Sequence, residues 1–586
     1  MGLFSMSQTL GFVGKLLDNR VPTEPIIRPT IFKPSVTFSA PNDLPRNTTE
    51  SQGIPSSHIL NFLKALKNDR TLNIHSIGIM RNGTIVCEAA FGAQRLDTWK
   101  YTFSACKSVV SLAIGILIDD GLLSVRDRVA DIFPKEAGPI GKLKLKDLTI
   151  EDLLTMRSSV SFSELDSAVE ENWLKGFWTA TTKGEAGKTF RYNSMNTYLL
   201  SAIVTAKTGK SLSDFLDERL FSPLGIDRSR WYWEVCPKGI EKGGWGLYIR
   251  QDDFLKIAQL VMQNGIWNGN RIISEEYVAH ATDRQVIVET ESALFDYGYQ
   301  MWVGKQTDTF LFNGMLGQNV IGFRNNGIVV TCFAGNDELF HQSNFFKYVL
   351  EYFDRPFEKS LKPSAKNAAA LSRYIQRELA TGELPARIFD LWRHNLQKRE
   401  LTRLLGAKFF PCEGYEKAIG LLPLILQLTH NEYATGFARI SFARIQNQDV
   451  LVYEEEQNTF QIPLAIGKVI EANLSFGENH FLVAVSTKVN RNEDDHIVIS
   501  IRVDFLEFPC SRILKLVFLD RETVLLRHEE HPGCEFVKST TQYFLNEISE
   551  KSIVHTLLDR LGYDYIDFKA KQLLAPELIL TKTPKK

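Results

Sequence analysis

Hydrophobic residues change their spacing several times along the first 120 positions, and each change predicts an element. The segment "HILNFLKALKN" (58–68) has helical spacing. It precedes "IHSIGIMRNGTIVCEAAFG" (74–92), two strand-like runs joined at Asn82-Gly83, a dipeptide that supplies the positive φ of a tight hairpin. The run "SVVSLAIGILI" (108–118) is apolar nearly all round. A helix, a hairpin and a buried helix are therefore predicted in this order.

The middle of the chain is predicted to be mainly helical, with helices around 149–157, 194–208, 212–219 and 251–263. Strand spacing returns in "NVIGFRNNGIVVTCFAGN" (319–336), an apolar hairpin turning at Asn326-Gly327, and another helix is predicted from about 342. This order predicts the α+β class. One antiparallel sheet is made from both ends of the segment, and a helical block is inserted between them.

Strand patterns dominate beyond residue 430. "DHIVISIRVDFLEF" (495–508) alternates apolar and polar residues, and "RILKLVFLDRETVLLRHEE" (512–530) reads as a hairpin turning near Asp520-Arg521. We therefore predict four segments: a largely irregular N-terminal arm (1–55), a first domain (56–357), a helical connector (358–410) and a second, mostly β domain (411–586). The second domain is predicted to be a small barrel or sandwich, capped by helices around 538–560.

The composition is that of a globular protein and does not identify a binding partner. The 586 residues are 44% apolar and carry 68 basic and 69 acidic side chains, which gives no charge bias toward nucleic acid. Seven cysteines without paired spacing favour a reducing compartment, so we expect a cytoplasmic protein. The apolar runs are too short for a membrane span, and the N-terminus lacks the features of a signal peptide, although a short amphipathic anchor stays open.

Candidate chemistry begins in "YTFSACKSVVSLAIGILIDDG" (101–121), which places Ser104 and Lys107 three residues apart at the start of the buried helix. This spacing puts both side chains on one face, so the amine can approach the hydroxyl. Burial lowers the pKa of a lysine, and the free N–H groups of a helix start can bind an oxyanion. We expect Ser104 to be a nucleophile and Lys107 its base. The alternative is a solvated serine and lysine on an ordinary helix.

Two later segments supply matching features. Tyr192, in "KTFRYNSMNTYLLSAIV", lies in a polar turn before a predicted buried helix, where a tyrosine can relay a proton to a leaving group. "FNGMLGQNVIGF" places Gly314 and Gly317 at the head of a strand, where the backbone can approach a ligand closely. The alternative for Tyr192 is a core tyrosine with a satisfied hydroxyl.

These motifs, in this order, resemble the serine β-lactamase and penicillin-binding-protein-like hydrolases, in particular the class C-type esterase branch that includes 6-aminohexanoate-dimer hydrolase. The resemblance runs from about 55 to 355. It also rests on "LTIEDLLTMRSS", "GGWGLYIRQDDFLKIAQLVMQNGIWNGNRIISEEYV" and "YGYQMWV".

Carried onto this sequence, the resemblance implies that Ser104 is acylated, that Lys107 accepts its proton and that Tyr192 is the tyrosine of the second motif. The third residue of that motif is usually asparagine and is Ser194 here, still able to bind a substrate carbonyl. The third motif usually begins with lysine or histidine, whereas this chain has Met315, Leu316 and Gly317, followed by Gln318, whose N–H would complete the oxyanion hole. Because this cation is missing, we expect a neutral ester or amide substrate and not one that carries a carboxylate, such as a β-lactam.

We therefore predict a serine hydrolase acting on a small-molecule ester or amide, without metal or cofactor. Activity of the β-lactamase or D-Ala-D-Ala peptidase kind is one alternative, and an inactive scaffold that binds a partner is another. A Ser-His-Asp triad is disfavoured, because no G-x-S-x-G occurs and the first domain's histidines, His58, His75, His280 and His341, lie in ordinary contexts. In "RHEEHPGCEF", Pro532-Gly533 argues against a zinc helix and favours a solvated hairpin end.

Overall fold

The computed structural model describes residues 33–167, 170–289, 293–380, 397–412, 420–430, 432–464, 466–536 and 574–583, together with residues 540, 568 and 571. Three predicted segments lie wholly or partly outside these residues. They are residues 1–32 of the arm, residues 381–396 of the connector, and most of the residues around 538–560, where helices were predicted. In the described part of the chain, no helix combines the length and apolarity that a membrane crossing needs.

The α-helices of the described residues lie mostly in the first domain, between its two sheet-forming ends. In chain order they are α1 (Ser56–Asn68), α2 (Lys107–Asp119), α3 (Val129–Ile132), α4 (Pro134–Lys144), α5 (Ile150–Leu154), α6 (Glu164–Ser167), α7 (Trp173–Thr179), α8 (Ser194–Thr208), α9 (Leu212–Leu216), α10 (Gln251–Met262), α11 (Glu275–Ala281), α12 (Asn344–Phe353), α13 (Ala365–Arg373) and α14 (Leu424–His430). Residues 397–404 are also helical.

The first domain's main sheet has seven antiparallel strands in the order β2-β1-β12-β11-β10-β9-β8. The strands of this part of the chain are β1 (Ile74–Arg81), β2 (Thr84–Ala90), β3 (Lys100–Tyr101), β4 (Trp231–Trp233), β5 (Leu247–Ile249), β6 (Ile266–Trp267), β7 (Asn270–Arg271), β8 (Phe295–Tyr297), β9 (Trp302–Gly304), β10 (Thr309–Gly314), β11 (Gln318–Phe323) and β12 (Ile328–Ala334). N-terminal strands thus pair with C-terminal ones around the inserted helices, which confirms the predicted α+β arrangement.

Helices cover both faces of this sheet. α10 packs on β1, β11 and β12, while α1 packs against α12 and α13. All eight residues of β1 are buried for this reason. The first eleven residues of α2, Lys107 to Leu117, are buried as well. The apolar run that predicted a buried helix therefore lies in the centre of the domain.

The described residues of the second domain form one sheet of ten strands, in the order β16-β15-β14-β13-β22-β21-β20-β19-β18-β17, beside the helix α14. Its strands are β13 (Lys408–Pro411), β14 (Phe437–Ile445), β15 (Gln448–Glu455), β16 (Thr459–Pro463), β17 (Val469–Phe476), β18 (Asn479–Arg491), β19 (Ile497–Phe505), β20 (Cys510–Phe518), β21 (Thr523–His531) and β22 (Glu577–Thr581). β16 and β17, the two ends of the order, lie against each other, so the sheet is nearly closed into a barrel.

Aromatic and aliphatic side chains fill the inside of this sheet, among them Phe442, Tyr453 and Phe481. β13 begins at Lys408, within the segment that we predicted as a connector, and pairs with both β14 and β22. The boundaries of the predicted domains stay predictions.

The second domain packs beside the strand that leads to Ser104. The Tyr101 N–H donates to the Glu507 carbonyl (2.8 Å), and the Tyr101 ring lies 5.2 Å from the Phe508 ring between centroids. Phe103 and Leu316 belong to the same apolar cluster as the second domain's core. The two domains therefore share a core next to the predicted nucleophile.

Candidate active site

Ser104 lies in a single 3-10 turn, Phe103–Cys106, between β3 and α2. β3 pairs with β5, and the Thr102 N–H donates to the Leu247 carbonyl (2.9 Å), which fixes the chain just before the serine. Phe103 has a φ of +46°, a conformation that costs a bulky residue about 1–3 kcal/mol and persists only where its surroundings impose it. Packing of Phe103 in the shared core thus holds Ser104 at the head of α2, half-buried.

The Lys107 side chain is 1% exposed, and its ammonium has three hydrogen-bond acceptors. Nζ lies 2.7 Å from Ser104 Oγ, 2.9 Å from Ser194 Oγ and 2.6 Å from the Gly244 carbonyl oxygen. Burial lowers the pKa of Lys107 to about 8, although the charges of Cys106 and Glu164 act in the opposite direction. An amine with this pKa can take a proton from a serine hydroxyl near neutral pH.

Tyr192 contacts the same serine. Its hydroxyl hydrogen-bonds Ser104, and its ring centroid lies 5.0 Å from Lys107 Nζ. Burial raises the pKa of Tyr192, while the bond to Ser104 acts to lower it. The phenol therefore keeps its proton at neutral pH and is a proton donor, which favours relay through hydrogen bonds over a phenolate.

Ser194 is the first residue of α8, and its hydroxyl faces Lys107. Its side chain is buried, since only 3% of the residue is exposed, so the structure places this predicted substrate-binding group beneath Ser104, against Lys107. Asn193 caps the helix by accepting from the Met195 N–H, and the Ser194 N–H donates to Glu164 Oε1 (3.0 Å). Glu164 was not predicted from the sequence, because α6 has only four residues and no motif surrounds it.

The Gly244 carbonyl reaches Lys107 because two glycines let the backbone approach α8. A Cβ on Gly244 would lie 2.7 Å from Ser194 Cβ, and one on Gly243 would lie 2.8 Å from the Thr197 carbonyl oxygen. Neither position therefore accepts a side chain without a shift of the backbone. The glycine pair in "GGWGLYI" is the one sequence signal that could have indicated this contact.

The predicted third motif forms the tight end of the β10–β11 hairpin. A Cβ on Gly314 would lie 2.2 Å from the Thr102 carbonyl oxygen and 3.1 Å from the Ala105 nitrogen, so this hairpin end rests directly on the turn that carries Ser104. Gly317 has a φ of +90°, which favours glycine. The Gln318 side chain points into the sheet and donates to the Ala334 carbonyl (2.7 Å), which leaves only its backbone for an oxyanion.

Comparison with known proteins identifies the family of the first domain. The family model "Beta-lactamase" matches residues 75–339, which include all six predicted site residues. Residues 75–339 form a domain of the β-lactamase family. The family predicted from the motifs is confirmed.

Two relatives of this β-lactamase-family domain are named enzymes. A lovastatin esterase from Penicillium rubens is 28% identical over 169 residues, which are 24% of this chain and 41% of the relative. A 6-aminohexanoate-dimer hydrolase from Paenarthrobacter ureafaciens is 22% identical over 219 residues, 34% of this chain and 55% of the relative. The matches thus span less than two thirds of either relative. The solved structure of a family VIII carboxylesterase is 18% identical, with a TM-score of 0.43, and the match covers 54% of this chain and 99% of that one.

Aromatic side chains border the site of the β-lactamase-family domain on the side of Tyr192. The Tyr192 ring stacks on Trp302 (centroids 5.8 Å apart) and meets Phe340 edge-on (5.1 Å). Met315 and Leu339, both partly buried, pack against the shared core. Apolar side chains thus lie beside the polar group formed by Ser104, Lys107 and Ser194.

The histidines in the competing predictions have other partners. His58 Nε2 lies 2.9 Å from the Tyr352 carbonyl oxygen, and the His341 ring packs edge-on against Trp302. The prediction of a solvated end for "RHEEHPGCEF" is wrong for His528, which is fully buried and bonds the Tyr453 hydroxyl (2.9 Å). His528 lies on β21, where alternate residues face the filled interior of the sheet.

Proposed function

We propose that this protein is a serine hydrolase that cleaves neutral esters or amides through an acyl-enzyme on Ser104. The observation that carries the proposal is the 2.7 Å contact between Ser104 Oγ and Lys107 Nζ, with a Lys107 pKa of about 8. The names of the two relatives, an esterase and a hydrolase of an aminohexanoate dimer, support the reaction class.

In the proposed reaction, neutral Lys107 accepts the Ser104 proton as Oγ attacks the substrate carbonyl. The resulting oxyanion is stabilised by the backbone N–H groups of Ser104 and Gln318. Tyr192 passes a proton to the leaving oxygen or nitrogen, and Lys107 re-supplies Tyr192. Water then attacks the acyl-enzyme with Lys107 as base, which releases the acid and restores Ser104.

The proposed substrate class follows from the rim of the site. Met315 stands where the family usually has a lysine or histidine, so no cation at this position attracts a substrate carboxylate. The partly exposed rings of Tyr192 and Phe340 lie edge to face with centroids 5.1 Å apart, and this aromatic surface suits an apolar acyl or leaving group.

A substrate panel tests this proposal. Short- and medium-chain p-nitrophenyl esters, the matching anilides and nitrocefin are compared with wild-type protein and with Ser104→Ala. We expect turnover of esters and anilides, little turnover of nitrocefin, and loss of all turnover in Ser104→Ala. Turnover that survives in Ser104→Ala would contradict the assignment, and preferred cleavage of nitrocefin would contradict the substrate class.

A further inference from the structure

A buried carboxylate connects the two domains close to the proposed site. Glu234 follows β4 and is 5% exposed. It accepts a hydrogen bond from the Tyr248 hydroxyl (2.6 Å) and pairs with Lys242 Nζ (3.0 Å). His430, the last residue of α14, brings its Nε2 to within 3.3 Å of the same carboxylate. One acidic side chain thus joins two segments of the first domain to the second.

Glu234 stays charged in this setting. Burial alone would raise the pKa of Glu234, but the neighbouring Lys242 and His430 hold it well below its usual range. The hydroxyls of Tyr101 and Tyr232 face the same charge. A buried charge keeps its partners in place, because separating any of them leaves the charge without compensation.

Lys242 begins the turn of residues 242–246, and this turn contains Gly244. The Lys242 N–H donates to the Glu234 carbonyl (2.8 Å), so Lys242 contacts Glu234 through both backbone and side chain. The Lys242 carbonyl in turn accepts from the N–H groups of Trp245 (3.0 Å) and Gly246 (2.8 Å). Glu234 therefore fixes the first residue of the turn that carries the Gly244 carbonyl to Lys107.

We propose that Glu234 is a positioning residue for Lys107, acting through the turn of residues 242–246, and that His430 makes the second domain part of this arrangement. The inference rests on the proposed function. Glu234 is connected to Lys107 through the turn and its Gly244 carbonyl, which lies 2.6 Å from Lys107 Nζ. The second domain accordingly contributes to the geometry of the catalytic base.

The test measures the rate at which a fluorophosphonate probe labels Ser104, between pH 6 and pH 10. Glu234→Gln and His430→Asn are compared with wild type and with Glu50→Gln. Glu50 is a matched control, because it is also a buried carboxylate (3% exposed) but accepts from the Ser56 N–H at the start of α1. Thermal melting of each variant is measured alongside.

We expect Glu234→Gln to label about tenfold more slowly, with the acidic limb of its pH profile moved to lower pH. The rate falls because a displaced Gly244 carbonyl no longer holds the amine in place at Ser104 Oγ. The limb moves because the same carbonyl no longer stabilises the ammonium, so the Lys107 pKa falls. His430→Asn should shift the limb in the same direction by a smaller amount, and Glu50→Gln should leave it in place.

Four results separate the explanations. A folded Glu234→Gln protein with the wild-type profile overturns the inference. A uniform loss of rate at every pH with an unmoved limb also overturns it, since that is the effect of a merely structural residue. If Glu234→Gln does not fold, an unmoved limb in His430→Asn decides against the inference. Wild-type protein that is never labelled overturns the proposed function itself, and the inference with it.

Discussion

The close approach of Gly244 to Ser194 makes Gly244→Ala a sharp test of how Lys107 is held. The new Cβ would lie 2.7 Å from Ser194 Cβ and 2.8 Å from the Ser194 carbonyl oxygen. Ordinary van der Waals contact starts at 3.4 Å, so the turn must retreat by about 0.7 Å. If the carbonyl moves with it, the 2.6 Å hydrogen bond to Nζ lengthens to about 3.3 Å, beyond the usual range of such bonds.

A misplacement of this size at a catalytic base costs about 100-fold in rate. We expect kcat for p-nitrophenyl ester hydrolysis to fall by about that factor in Gly244→Ala, with KM nearly unchanged, because the altered contact lies beneath the nucleophile and away from bound substrate. The assay is steady-state hydrolysis at pH 8, with circular dichroism to verify folding.

Gly533→Ala is the matched control. A Cβ at Gly533 meets only the Glu530 carbonyl oxygen at 3.5 Å, an ordinary contact, so this variant should keep the wild-type rate. If Gly244→Ala is folded and as active as Gly533→Ala, the Gly244 carbonyl has no part in holding Lys107, and the reasoning fails.

Four further predictions concern the remaining groups of the site. Lys107→Arg should lose at least about 100-fold in kcat while melting near the wild-type temperature, because arginine does not deprotonate near neutral pH; wild-type turnover would end the assignment of the base. The Lys107 pKa of about 8 predicts that kcat/KM rises with pH up to about 8 and then levels, since only the neutral amine accepts a proton; a flat profile between pH 6 and 9 would contradict this. Tyr192→Phe should slow anilide hydrolysis by about 100-fold and p-nitrophenyl ester hydrolysis by less, because nitrophenolate leaves without a proton; equal losses would refute a relay to the leaving group. Met315→Lys should raise kcat/KM for an ester that carries a carboxylate by up to about fivefold relative to its neutral analogue, and an unchanged ratio would show that position 315 does not face substrate.

The two hairpins, the buried helix and the approach of Lys107 to Ser104 could be predicted because each depends on residues that are close together in sequence. Asn82-Gly83 and Asn326-Gly327 specify tight hairpin turns in β1–β2 and β11–β12, and the unbroken apolar run after Ser104 fits only a helix covered on all sides. The spacing of Ser104 and Lys107 likewise determines their approach within one helical turn. These predictions depend on no distant segment of the chain.

The rest of the site comes from pairs of segments far apart in sequence. Gly244 contacts Lys107 through its backbone carbonyl, a group that every residue type has, so the contact leaves no residue-specific pattern. The sequence indicates it only through the glycine pair, where no side chain fits. Glu234 and His430 meet across nearly two hundred residues, and neither sits in a motif. β13 is likewise held by pairing between distant segments, because its partners β14 and β22 are separated by most of the second domain's sequence.

The most direct test asks whether Ser104 is the nucleophile that becomes covalently modified. Intact-protein mass spectrometry makes this test. Wild-type protein and Ser104→Ala are each incubated with a fluorophosphonate probe at pH 8, and the labelled peptide is mapped after digestion. We predict one adduct on wild-type protein, located on Ser104, and none on Ser104→Ala. A wild-type protein that stays unlabelled, or an adduct that persists in Ser104→Ala, would contradict the claim.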